Sequence, residues 1–112
     1  MPAAPAVAAP VVQPDVSEVV ATAVLAVPGV ADLHGGTFGQ VASYLPGRSV
    51  TGVRVNPDVT DVHVVLFWGA PVLATAERIR AAVQPLVTGL SDRVDITVDD
   101  IITPPSDLQI GA

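Results

Sequence analysis

The chain has 112 residues, 50% apolar and only 14% charged, a balance that supports one domain with a packed core and excludes a disordered, highly charged polymer. Its 11 acidic side chains outnumber 5 basic ones, all arginine, for a formal charge of −6, so the cationic footprint needed by a nucleic-acid backbone or an anionic lipid surface is missing. With no cysteine, disulfides, thiolate metal sites and cysteine nucleophiles are excluded.

In chain order, residues 1–12 read as a flexible Ala/Pro-rich tail, because Pro2, Pro5 and Pro10 interrupt any helix. The first basic residue is Arg48, so the positively charged start of a secretory signal is lacking. The most apolar stretch, 16–30, contains Ser17, Glu18 and Thr22 and ends at Pro28-Gly29, short of the about 20 residues a membrane span requires. The expectation is a soluble, cytoplasmic protein without direct membrane insertion, with its folded domain at 13–102 and a C-terminal tail at 103–112.

Asp15 with Glu18 three residues on approximates a capping box, and Val16, Val19, Val20, Ala23, Val24 and Val27 follow helical spacing up to Pro28-Gly29. Valine lowers helix propensity, so burial must hold this helix. Residues 30–34 predict a short strand closed by Gly35-Gly36. In 37–49, the spacing of Phe38, Val41, Ala42 and Leu45 predicts one or two turns of helix within a longer connection.

Two strands follow at 52–56 and 61–68, joined by the turn signal Asn56-Pro57-Asp58. Val53, Val55, Val62, Val64 and Leu66 point to one side; Arg54, Asn56, Asp61 and His63 point to the other, which turns apolar at Val65 and Phe67. A second helix is predicted over 72–90 with Val72, Ala76, Ile79, Val83, Leu86 and Leu90 along one side, kinked or ended early near 81–84 by Pro85. Residues 93–102 alternate as a strand, with Val94, Ile96 and Val98 opposite Asp95, Thr97 and Asp99. One apolar face per element predicts an α+β two-layer sandwich: two helices packed on one face of a mostly antiparallel, three- to four-stranded sheet.

The residues offer little converging chemistry. His34 and His63 are the only imidazoles; Asp61 and His63 share a strand face, but two ligands do not make a metal site. Ser17, Ser43, Ser49, Ser91 and Ser106 fall in caps, turns and loops, and no G-x-S-x-G elbow occurs. Asp95, Asp99 and Asp100 read as solvated charges on or beside an exposed strand face. The expectation is therefore no catalytic set, no metal and no cofactor. Gly36-Thr37-Phe38-Gly39 matches a G-x-x-G turn and supplies the alternative of a small-ligand or RNA-binding module using the turn at 35–39, with Gly35, Gly36, Phe38 and Tyr44 as candidate loop contacts. No Lys or Arg lies within eight residues of that motif, so a tight turn without nucleic acid is the favoured reading. The candidate interface is Val65, Phe67 and Trp68, where a strand apolar on both sides leaves one side for the chain's own loops or for a partner.

Several signals recur in a fixed order: a valine-rich helix closing on Pro28-Gly29-Val30, then Gly35-Gly36, Gly52-Val53-Arg54-Val55, the strand ending in Trp68-Gly69, a helix carrying Ile79 and Val83, and Val94-Asp95-Ile96-Thr97-Val98. In that order the chain resembles the alkaline shock protein family, the envelope stress response proteins of Gram-positive bacteria, over roughly residues 13–102. It departs from the family in having no Lys, a proline in the second helix, and only Val11-Val12-Gln13 in place of a short opening strand. The resemblance implies a non-enzymatic, self-associating homo-oligomer that acts as a scaffold beneath the cell membrane. There it would be held at the inner face by a membrane-anchored partner rather than by its own lipid contact. The family carries no catalytic residues to transfer.

Overall fold

The computed structural model describes residues 15–36 and 41–104. The predicted N-terminal tail, Val11-Val12-Gln13, Phe38, Ser106 and most of the predicted C-terminal tail lie outside the described residues. Helix α1 (Val16–Leu25) starts where Asp15 and Glu18 close the expected capping box. Asp15 Oδ2 accepts from the Ser17 N–H at 3.0 Å and the Ser17 hydroxyl at 2.7 Å, while Glu18 Oε1 accepts from the Asp15 N–H at 2.9 Å. These bonds satisfy donors that a helix start otherwise leaves open. Further along, Val20 and Val24 are fully buried, so packing supplies what valine lacks in propensity.

Strands β1 (Val30–Leu33), β2 (Ala42–Leu45), β3 (Arg48–Thr51), β4 (Val53–Val55), β5 (Val59–Phe67) and β6 (Arg93–Ile102) form two sheets. In the four-stranded sheet β5 is central. β1 and β4 pair antiparallel with the two halves of one of its edges, and β6 runs parallel along the whole of the other. The parallel pairing requires a crossover, and helix α2 (Val72–Val87) provides it. Both helices lie against the face carrying Val53, Val62, Val64 and Leu66, where they bury Val20, Val24, Ile79, Val83 and Val87. The fold is thus the expected α+β arrangement, with a small hairpin added.

That hairpin corrects the helical turns expected in 37–49. β2 and β3 pair antiparallel across Pro46-Gly47, and the Pro-Gly order with φ +76° at Gly47 suits a tight turn. Leu45 lies four residues after Val41, an interval compatible with either period, and the two-residue turn decides for the strand. Ser43 then donates its hydroxyl to the Val53 carbonyl at 2.6 Å, tying the hairpin to β4.

Helix α2 corrects two further expectations. It continues through Pro85 to Val87 rather than ending near 81–84, because the proline stands in the last turn, where it removes one N–H, and Val87 beyond it is fully buried. Its buried stripe is Thr75, Ile79, Val83 and Val87, whereas Val72 and Leu90 are exposed. Thr75, though polar, sits in the core with a hydroxyl that finds no partner among the described residues.

Gly52 joins β3 to β4 at φ +82°, and a Cβ there would come within 2.9 Å of both the His63 carbonyl oxygen and Leu33 Cβ. Its N–H donates to Val41 O at 2.8 Å and its carbonyl accepts from the His63 N–H at 2.9 Å, so the close approach cannot relax without losing bonds. Gly52→Ala should destabilise the fold by about 3 kcal/mol in urea titration, from backbone strain and the clash together. Gly47→Ala, with a similar φ but open space around it, should cost about 1 kcal/mol.

Charge contributes at the start of α1. Hydrogen bonds from the Ser17 N–H and hydroxyl hold the Asp15 carboxyl below its ordinary value. The Arg48 guanidinium, 2.6 Å from Glu18 Oε2, is the largest cause lowering Glu18, with the Asp15 N–H second. Lowered carboxyls stabilise the fold above their unfolded values, and that contribution disappears as pH falls through the folded ones. Thermal denaturation should show stability declining below about pH 4.5, and the slope should flatten in an Asp15→Asn, Glu18→Gln double variant.

Candidate functional site

The sheet face opposite the helices carries a cluster that begins with a fault in register. β6 pairs Val98 with Val64 and then Asp100 with Val65, so Asp99 is the extra residue of a bulge. Its Oδ2 lies 2.6 Å from His63 Nδ1 and 3.4 Å from His34 Nδ1. His34 arrives there because its N–H bonds the His63 carbonyl at 2.8 Å, continuing the β1 ladder. Beside it, the Gly36 N–H donates to His34 Nδ1 at 2.9 Å and the Val41 N–H donates to the Gly35 carbonyl at 2.9 Å. Val41 and Val65 are both buried without belonging to the core under the helices.

This arrangement corrects one reading. Asp99 is not a free, solvated charge: it is the carboxylate that holds His63. His63 turns to Asp99, while Asp61 lies in register between Arg54 and Asp95, and Arg93 Nε reaches Asp95 at 3.3 Å. Among the described residues no group of three or more His, Cys, Asp or Glu side chains gathers to hold a metal. Ser17, Ser43 and Ser91 spend their hydroxyls on Asp15, Val53 and Asn56 respectively, while Thr97 lies in register with His63 across the β5–β6 pair. His63 Nδ1 and Asp99 Oδ2 thus fix one another on the outer face.

The first glycine of the G-x-x-G motif is engaged in the same way. Gly36 is buried and its N–H is bonded to His34, which removes it as an anion donor. Gly35 is half-buried, Tyr44 is 78% exposed on β2, and Phe38 lies outside the described residues.

At the other end of the outer face, the predicted interface residues separate. Val65 is buried, Phe67 is half-buried and Trp68 is 72% exposed. Trp68 is fixed by its N–H, which donates to the Ile102 carbonyl at 2.7 Å. Ile101 and Ile102 at the end of β6 and Val72 and Leu73 at the start of α2 are also exposed, Leu73 by 82%. Residues from β5, β6 and α2 thus present apolar side chains at the same end of the sheet. Leu73, Ile101 and Ile102 were missed in the sequence, although the adjacent isoleucines break the alternation of the strand and were the available signal. Two open grooves along α1, of about 500 and 360 Å³, are lined by residues such as Glu18, Asp32 and Ser49, and Val19 and Leu86; neither includes a histidine or Trp68.

Among the described residues no helix is long and apolar enough to cross a membrane. Comparison of the chain with family models, with curated proteins and with solved structures finds no match.

Removing the Asp99 carboxylate would strand the His63 Nδ1–H in a mostly covered position. Asp99→Ala should cost about 1–2 kcal/mol in urea titration, and Asp99→Asn, which retains an acceptor oxygen, should recover most of that loss.

Proposed function

We propose that this chain is a non-enzymatic interaction module that associates with itself and docks to a membrane-anchored protein at the inner face of the cell membrane. Its role would be that of a scaffold in the envelope stress response, as in the alkaline shock protein family it resembles. The observation that carries the reading is the apolar end of the sheet, where Trp68, Leu73, Ile101 and Ile102 stand exposed on three adjoining elements. Exposed aromatic and aliphatic groups gathered in this way are the usual centre of a protein interface. The ligand- or RNA-binding alternative is less well supported: the Gly36 N–H is already bonded and the chain carries a formal charge of −6.

Sedimentation over a concentration series should show reversible self-association. Trp68→Asp and Leu73→Asp should each weaken it about tenfold or more without lowering the melting temperature, because both side chains are exposed; Phe67→Asp, being half-buried, should weaken association with some loss of stability. A strictly monomeric wild-type protein at high concentration would reject the self-association. A pull-down from membranes of the native host, compared with the Trp68→Asp chain, should recover an anchor protein that the variant loses.

A further inference from the structure

On the outer face, one imidazole nitrogen has two claimants. His34 Nδ1 accepts the Gly36 N–H at 2.9 Å, so the neutral ring carries its proton on Nε2. The same Nδ1 stands 3.4 Å from Asp99 Oδ2, so in that tautomer a lone pair faces a carboxylate oxygen. His63 takes its own share of that oxygen at 2.6 Å, which requires a proton on its Nδ1. Asp99 is held in this position by the β6 bulge, and His34 by its backbone bond to the His63 carbonyl. Gly36 is buried, so its N–H has no ready exchange of partner with water.

We propose that His34 is a proton-operated latch with two settings. In the neutral setting Nδ1 holds the Gly36 N–H and fixes the exit of β1. When the ring takes a proton from solvent, Nδ1 becomes a donor and forms a charge-assisted bond to Asp99. The Gly36 N–H is then released, and both imidazoles share one carboxylate. The other charged and titratable side chains placed on this face are Asp32 from β1, Arg54 from β4, Asp61 and His63 from β5, and Arg93, Asp95 and Asp100 from β6. Asp32 and Asp100 already accept from the N–H groups of Leu33 and Ile101, and Asp95 is engaged by Arg93. Asp99 is thus the carboxylate within ion-pair distance of His34 among the described residues. The latch stands apart from the apolar end of the sheet and does not depend on the interaction reading.

The test is a pH titration of the ¹⁵N-labelled full chain by NMR from pH 8 to 5, following the Gly36 amide and both imidazole rings. The Gly36 amide shift should move with the midpoint of the His34 ring, and its exchange protection should fall about tenfold, the loss of one hydrogen bond. In His34→Gln, which keeps an acceptor but cannot titrate, the Gly36 amide should stay unchanged over the same range. In Asp99→Asn, which removes the anionic partner of the charged ring, the Gly36 transition should move to lower pH. A Gly36 amide indifferent to the His34 titration in the wild-type chain, or the same transition in His34→Gln, would overturn the proposal. The wild-type titration alone decides the case should a variant fail to fold.

Discussion

β5 holds the molecule together through its burial between two helices and three strands. Val62, Val64 and Leu66 on its inner face are fully buried, a contribution of about 1.5–3 kcal/mol each. Its edges are divided unequally, with β6 along all of one and β1 and β4 sharing the other. Where the two short strands meet, Gly52 lets the backbone pass close to the His63 carbonyl. With the inner face spent on the core, whatever the protein does with other molecules is left to the outer face, the ends of the sheet and the helix surfaces.

The elements that bury one clean face were legible in the residues. The helix at Asp15, the Asn56-Pro57-Asp58 turn and the alternation of 93–102 each combine a local signal with an apolar period, and both point to the same structure. What escaped was decided by pairing at a distance. Val41 and Leu45 suit a helix or a strand alone, and only the return of Arg48–Thr51 along Ala42–Leu45 makes the choice. Thr75 reached the core because helix rotation is set by Ile79 and Val83, whose burial outweighs one unpaired hydroxyl.

The site was less legible than the fold for a related reason. His34, His63 and Asp99 come from three strands, and their meeting depends on which strands are neighbours as well as on a bulge that no local pattern announces. Asp99 in the sequence is one member of an ordinary Asp-Asp pair. In the fold it is covered well enough to hold an imidazole, while Asp100 beside it is exposed and accepts the Ile101 N–H. The candidate interface was half visible for the opposite reason: adjacent Phe67 and Trp68 mark a strand end by themselves, but Leu73 and the two isoleucines join them only through tertiary placement.

One residue of slippage accounts for both features of the outer face. Had β6 continued in register beyond Val98, Asp99 would lie opposite Val65 and Asp100 opposite Leu66, which points a carboxylate into the layer under the helices. The extra residue restores the alternation: Asp100 pairs with Val65 on the open side, Ile101 with Leu66 on the covered side, and Ile102 with Phe67 beside Trp68. Asp99, left over by this adjustment, is the residue free to meet His63 and His34. The bulge that keeps charge out of the core is therefore also what sets a carboxylate between two imidazoles and turns the last isoleucine toward the apolar end of the sheet.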